Sequence, residues 1–555
     1  MKRILENGSR LQVNRRQVLL GTSAVAFSQL VALPACGATG ISVFDQPIII
    51  QAHVHAAVQL QRKKYKEAAG ILQELAKRFP EHGDTQFLQA VTAFRLLDFG
   101  KGRSFVEAAI RNGFGNPDQL RTEDAFRSVR KRPWFVEAVM AAEENALSAS
   151  TNRNLEIVPT PIIAGEQAEV TERNTTWDPS TGLLLVNFSG PSQPPPGEVL
   201  GQTIPVHKRV NDLYAAGQVA GNGGDVYLNL DRGHSMQVRQ SLFKQFATVT
   251  FPDSAKKNQL DYSFNLFWFI NRPTLGNASL GANGRSLARM GLSSTLGLRN
   301  VYRQYRGNQL FIYPAVNDHL PEKEDKFPFN VPYLFVSQGR SGSDGNFIRA
   351  SATALASFSP RVKQFLTQKG LLMPTVQQIL RHSLIPADNP AAYLTSEAHS
   401  VAIDGKKLDL DRVVTMASEM RIESVPPLVD LTLVGRPSGA TSAFATPNAI
   451  GVVVKGKRGA SVSMSVAATI TENTVPAEPD LDVVWTVIQG DKNKISIENV
   501  GSTRRANIQV SWHDQFFDPA MPDIATRRVD IGVFARRGNL FSAPSFISVA
   551  FEGLV

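Results

Sequence analysis

The chain has 555 residues, too long for one hydrophobic core and suited to about three to four domains. Its 43% apolar and 19% charged residues are those of a folded protein rather than a disordered one. Lys and Arg outnumber Asp and Glu by 59 to 49, which favours anionic partners, but no basic run with interleaved aromatics or nucleic-acid motif occurs, and nucleic acid is not expected as a partner. The single cysteine, Cys36, excludes an internal disulfide and a multi-cysteine zinc site.

A polar start with Lys2, Arg3 and Arg10 leads through Arg15 and Arg16 into a mildly apolar run from Val18 to Leu33. Gly21, Thr22, Ser23, Ser28 and Gln29 interrupt this run, which is short of the roughly twenty apolar residues a spanning helix needs. The layout is that of an export signal, residues 1–36. "NRRQVLL" resembles a twin-arginine signal, with Val18 and Leu19 in its apolar slots and Leu20 where a polar residue is common. "LPACG" resembles the lipobox of bacterial lipoproteins; Leu33 and Ala35 fit it and Pro34 departs from it. These resemblances imply export of a folded chain, lipidation of Cys36 and residence in the periplasm or on a membrane of the cell envelope. The alternative is a plain signal cut near Ala35, with Cys36 a bystander.

Residues 46–145 carry apolar positions at three and four spacing, which predicts a helical domain. "KKYKEAAGILQELAKRFP" resembles the second helix of a tetratricopeptide repeat, with Tyr65, Ala68, Leu72, Leu75 and Pro80 in the large, small and stop positions and Ala56 in the small site of the preceding helix. A second pair, "TQFLQAVTAFRLLDFG" and "RSFVEAAIRNGF", follows, and then a closing segment in which Phe126, Trp134 and Phe135 would cap the stack. The resemblance implies a surface for a protein partner; a helical stalk is the alternative. His53 and His55, near the mature N-terminus, are expected as an exposed, incidental pair, and no metal site is expected.

Residues 146–169 read as a linker and 170–423 as a central α/β or α+β domain. The short apolar runs "GLLLVNFS", "GDVYLNLD", "NQLFIYPAV" and "VPYLFVSQG" are its strands, interleaved with helical stretches such as "PTVQQILRHSL" and "LDLDRVVTMASEM". From residue 424 to 555 strands recur at sandwich-like spacing. Trp485 ahead of the turn at Gly490 and Asp491 makes this segment resemble a polycystic kidney disease-type immunoglobulin-like domain, a spacer or adhesion module without catalytic residues. The fold class expected is therefore multidomain: a helical repeat, a central α/β domain and a C-terminal β-sandwich. As a whole the chain resembles uncharacterised exported proteins with tetratricopeptide repeats, a likeness that supplies no activity.

Two stretches could carry chemistry. In "VPYLFVSQGRSGSDGNFIRA" an apolar strand runs into a Gly and Ser rich turn and a helix, which aims backbone N–H groups at one spot. Gly339, Gly342 and Asp344 are candidates for holding an anionic or carbohydrate ligand, and Ser343 or Ser341 for a nucleophile on a strand-to-helix elbow. Neither the elbow nor the phosphate-loop pattern is met, and Ser343 or Asp344 as a plain helix cap stays open. In "GNGGDVYLNLDRGHS" a strand ends in Asp231, Arg232 and His234, where open α/β sheets build ligand sites; a local turn is the alternative. A serine hydrolase would pair Ser343 or Ser341 with His234 or His399, oriented by Asp388 or Asp404; His382 is the other central histidine. No cofactor is expected.

Overall fold

The structure is a computed structural model. It describes residues 41–551 apart from 152–156, 192–204, 223, 231–242, 259, 261–267, 278–294, 316–326, 328, 341, 446–450, 472–480 and 519–520. The chain divides into two compact units. One comprises the residues up to Pro159 with Val170–Asn187 and Phe251–Asp261, and the other Thr160–Glu169, Phe188–Thr250 and Tyr262–Val555.

Among the described residues the N-terminal stretch of the first unit carries the helices α1 (Gln46–Gln61), α2 (Tyr65–Arg78), α3 (Gly83–Arg95), α4 (Phe99–Arg111), α5 (Pro117–Thr122) and α6 (Pro133–Thr151), and the short helix Asp253–Lys257 also belongs to the unit. The turns joining α1 to α2 and α3 to α4 share a backbone conformation: each contains one left-handed residue, Lys63 at φ 59° and Leu97 at φ 62°. These two lie 34 positions apart (97 − 63), the period of a repeating helix pair. Ala56, Ala68, Leu72 and Leu75 are fully buried, because small and large side chains alternate where helices approach one another. Phe87 stacks on Phe114 at 4.4 Å, and Phe126 meets Phe94 and Phe135 at 5.2 and 5.3 Å, closing the core at α6.

The expectation of an exposed histidine pair fails at His53, which is 2% exposed. The Nδ1 of His82 accepts the backbone N–H of Thr85 at 3.2 Å, so it carries no proton, and the Thr85 hydroxyl at 3.0 Å must donate to it. The His53 Nε2, 2.9 Å from that hydroxyl, is then the donor, and both rings are neutral. Burial pushes His53 well below the usual imidazole range and His82 down to about 4.

The second unit opens on a six-stranded, wholly parallel sheet. Its strands are β1 (Gln167–Glu169), β2 (Asp225–Asn229), β3 (Phe246–Thr250), β4 (Thr274–Asn277), β5 (Gln309–Pro314) and β6 (Leu334–Ser337), in the spatial order β6-β5-β4-β2-β3-β1. Strands β2, β5 and β6 are almost continuously buried, as expected of parallel strands covered on both faces. The longer helices are α7 (Pro205–Val219), α8 (Thr295–Arg306), α9 (Gly345–Ser357), α10 (Pro360–Gln368), α11 (Leu372–Ser383) and α12 (Leu410–Ser418), with a single helical turn at Ser396–His399. The region is thus α/β. The chain leaves β2 for β3 on one side and returns to β4 on the other, which puts a topological switch point between β2 and β4.

Apart from a two-stranded pair, Phe516–Asp518 with Met521–Thr526, the described C-terminal strands form two further sheets. One is antiparallel: β7 (Leu428–Ser438), β10 (Val462–Thr471), β13 (Ser502–Val510) and β12 (Ile495–Val500). The other runs β8 (Ala440–Ala445), β9 (Gly451–Gly456), β15 (Ser545–Phe551), β14 (Arg528–Arg537) and β11 (Leu481–Gln489), with β9 and β15 parallel. Residues from both sheets, among them Val429, Val466, Ile508, Val454, Ile531 and Val549, join one buried cluster. Trp485 donates its Nε1–H to the Thr503 carbonyl at 2.7 Å.

Two expected boundaries differ from the structure. Residues 146–169 are not only a linker: Gln167–Glu169 is the edge strand β1, paired with β3. The division at 170 also moves, since Val170–Asn187 belongs to the helical unit, where Thr175–Asp178 and Leu183–Val186 make a hairpin. Central and C-terminal regions belong to one unit. Among the described residues no helix is long and apolar enough to cross a membrane.

Candidate functional site

Strand β6 ends at the C-terminal edge of the parallel sheet, where ligand sites of open α/β sheets form. Its neighbour on the outer side is the segment at Ile403, whose N–H donates to the Val336 carbonyl at 2.9 Å and whose carbonyl accepts from the Gln338 N–H at 2.7 Å. The chain then turns through Gly339 at φ 134° and Gly342 at φ 91°, conformations that side-chain-bearing residues avoid. A Cβ on Gly339 would lie 3.0 Å from that of Ser343, so the glycine also lets Ser343 fold back over the strand end.

The result is a hydroxyl pair. Ser343 Oγ lies 2.6 Å from Ser337 Oγ, the last residue of β6. Ser337 is fully buried and Ser343 partly exposed. Asp344 follows, fully buried at the start of α9. Its carbonyl accepts the first helical N–H, from Ile348 at 2.9 Å, while its carboxylate does not cap the helix.

At the switch point, the Asn277 side-chain oxygen accepts the Leu230 N–H at 3.2 Å, pinning the end of β2 to the end of β4. Asp231, Arg232 and His234 come next in the chain and lie outside the described residues, as do Ser341 and Cys36.

His399 sits elsewhere. Its ring is fully buried against Tyr393, Phe534 and Phe546, with centroids at 4.7, 5.0 and 6.0 Å. Arg381 Nη1, always a donor, is 3.4 Å from His399 Nδ1, and among the described residues Nε2 has no partner. Burial, then the Arg381 and His382 charges, hold this imidazole well below its usual range. The expected pairing of Ser343 with His399 is therefore not made: the hydroxyl's partner is Ser337, and the imidazole is sealed among aromatic rings. His382 stacks on Tyr393 at 3.7 Å. Asp388 is exposed, and Asp404 accepts the Lys406 N–H at 3.0 Å, so neither orients an imidazole in the described structure.

Sequence reasoning missed Ser337, the buried Arg381 cluster and a buried ion pair at the opposite end of β2. There Lys363 Nζ meets Asp225 Oδ2 at 2.5 Å, with the residues 5% and 1% exposed. A lysine between Val362 and Leu366 on the buried face of α10 was the available signal. No group of His, Cys, Asp and Glu suited to a metal ion occurs among the described residues. Compared with known proteins, the chain matches no family model, no curated protein and no solved structure.

Proposed function

We propose that the chain is an exported binding or scaffold protein of the bacterial cell envelope. In this reading the twin-arginine signal carries it out folded, Cys36 takes the lipid and the helical repeats engage a protein partner. The C-terminal sheets serve as an immunoglobulin-like β-sandwich spacer, and the turn at 339–344 receives an anionic or hydroxyl-rich ligand.

The observation that carries the ligand part is the Ser337–Ser343 pair at the C-terminal edge of a parallel sheet. One hydroxyl is exposed enough to meet a ligand and its partner is a second hydroxyl rather than a base, which suits hydrogen-bonded recognition better than nucleophilic attack. The 34-residue recurrence of the left-handed turns supports the repeat reading.

A serine-type hydrolase using Ser343 or Ser341 with His234 is the second reading, favoured by the strand-turn-helix layout around the serine. Fluorophosphonate labelling separates the two. The binding reading expects an unlabelled protein whose melting temperature rises with inorganic phosphate or a soluble oligosaccharide, a rise removed by Ser343→Ala. Stoichiometric labelling that Ser343→Ala abolishes would replace it with the hydrolase. Mass spectrometry of the mature N-terminus tests the anchor, which an unacylated Cys36 would refute.

A further inference from the structure

The turns of the helical unit carry a pattern the proposed function does not use. Helices joined by short turns run antiparallel, so the turn between α1 and α2, the turn between α3 and α4 and the segment leading into α6 lie at the same end of the unit. Contacts tie the last two together: Arg95 pairs with Glu123 at 2.9 Å, and the Arg103 guanidinium lies 5.2 Å above the Trp134 ring. Lys63 occupies the tip of the first turn and Leu97 the tip of the second, and Lys131 falls at the same 34-residue spacing again (131 − 97).

The middle tip is apolar and exposed. Leu97 is 74% exposed, Phe99 49% and Leu96 39%. Leu97 is also left-handed, one of three such non-glycine residues described, in a conformation that disfavours a branched side chain and for which Gly or Asn is the usual solution. A leucine there adds strain and gains no burial in the chain itself. The flanking tips are cationic: Lys63, Arg127, Lys131 and Arg132 are exposed and have no ion pair among the described residues, whereas Lys64 and Lys101 are matched by Glu67 and Asp98.

We propose that this end of the helical unit docks on an anionic lipid bilayer, with Leu96, Leu97 and Phe99 entering the headgroup layer and the two cationic tips meeting lipid phosphates on either side. A projecting apolar tip between unpaired cations is complementary to a negatively charged surface over an apolar interior. The contact does not need the acyl chain on Cys36; it would act as a second membrane signal beside it and fix which end of the repeat faces the lipid.

The test uses the full chain carrying Cys36→Ser, so that no lipid can anchor it, mixed with vesicles of phosphatidylcholine alone or with about 30% phosphatidylglycerol, at low and high salt. Co-sedimentation with the anionic vesicles only, weakened by salt, is the expected result. Leu96→Ser/Leu97→Asn, which relieves the backbone strain and so keeps the fold, should weaken partition about tenfold or more, and Lys63→Ser/Lys131→Ser/Arg132→Ser about fivefold per cation removed. Equal binding to neutral and anionic vesicles, or none to either, overturns the proposal. So does binding that survives loss of both leucines, which would mark a purely electrostatic contact. Self-association abolished by Leu97→Asn overturns it too, by making the tip an interface between copies.

Discussion

Replacing Lys363 by Met should turn the best-buried ion pair of the α/β region into an isolated buried carboxylate. Asp225 opens β2, the strand at the switch point, and its Oδ2 has Lys363 Nζ at 2.5 Å while its Oδ1 has no hydrogen-bond partner among the described residues. Breaking such a pair costs about 3–5 kcal/mol, and the nearby Arg272 guanidinium, which also favours the charged carboxylate, places Lys363→Met toward the lower end. Burial already raises the Asp225 carboxyl above its ordinary 3.8, and Lys363 is the group that pulls it back most. Without the lysine it rises further.

The sign of the pH dependence follows. A carboxyl raised on folding contributes stability below its unfolded value and loses it as pH rises through the folded one, so the penalty of Lys363→Met should be smallest in acid, near the ordinary carboxyl value, and grow as pH rises. Asp225→Val/Lys363→Met, apolar at both positions, should return to within about 1 kcal/mol of the parent, because it removes the desolvation cost together with the pair. Chemical denaturation of all three proteins at several pH values is the assay. A penalty below about 1 kcal/mol at pH 8, a penalty independent of pH, or a double variant as unstable as the single one would refute the reasoning.

Thr85→Val should cost the helical unit roughly 1–3 kcal/mol, since it leaves the buried His53 donor unsatisfied and strips His82 Nδ1 of one of its two hydrogen bonds, the backbone N–H of residue 85 remaining; faster hydrogen exchange through α3 would report it. Arg381→Ala should destabilise by about 3 kcal/mol or more. It removes a buried guanidinium that donates to the Ala398 carbonyl at 2.8 Å and lies over Phe335 and Phe546, whereas Arg381→Met, which refills the volume, should cost about half as much in the same melts. Ser343→Ala should leave the melting temperature of the free protein within a few degrees while removing any ligand-dependent rise, because Ser343 is partly exposed and the substitution breaks only its hydroxyl bond to Ser337.

The turn at 339–344 was legible because everything that shapes it is local: an apolar strand, two glycines needing left-handed or extended-positive backbone and a helix start, all within twenty residues. The pairing inside it was not. Ser337 reads as the polar end of a buried strand, and only the fold-back permitted by Gly339 brings its hydroxyl to Ser343. His399 shows the opposite failure. Histidine, serine and acid in a plausible order suggested a triad, but Phe534 and Phe546, more than 130 positions on, close over the ring.

By itself, then, the sequence determined the helical first region, through its three and four spacing, and the strand-rich last one, because periodicity and turn chemistry act between neighbours; the 34-residue recurrence of the left-handed turns came from the structure. It determined where glycine must bend the chain. Tertiary structure alone decided that the strands of the α/β region lie in the order β6-β5-β4-β2-β3-β1, that three residues of an expected linker complete that sheet, and that one unit holds both the sheet and the C-terminal strands. Strand order, the neutral His53–Thr85–His82 chain and the Lys363–Asp225 pair depend on which distant segments exclude water together. That is a property of the packed whole, which no local pattern of residues encodes.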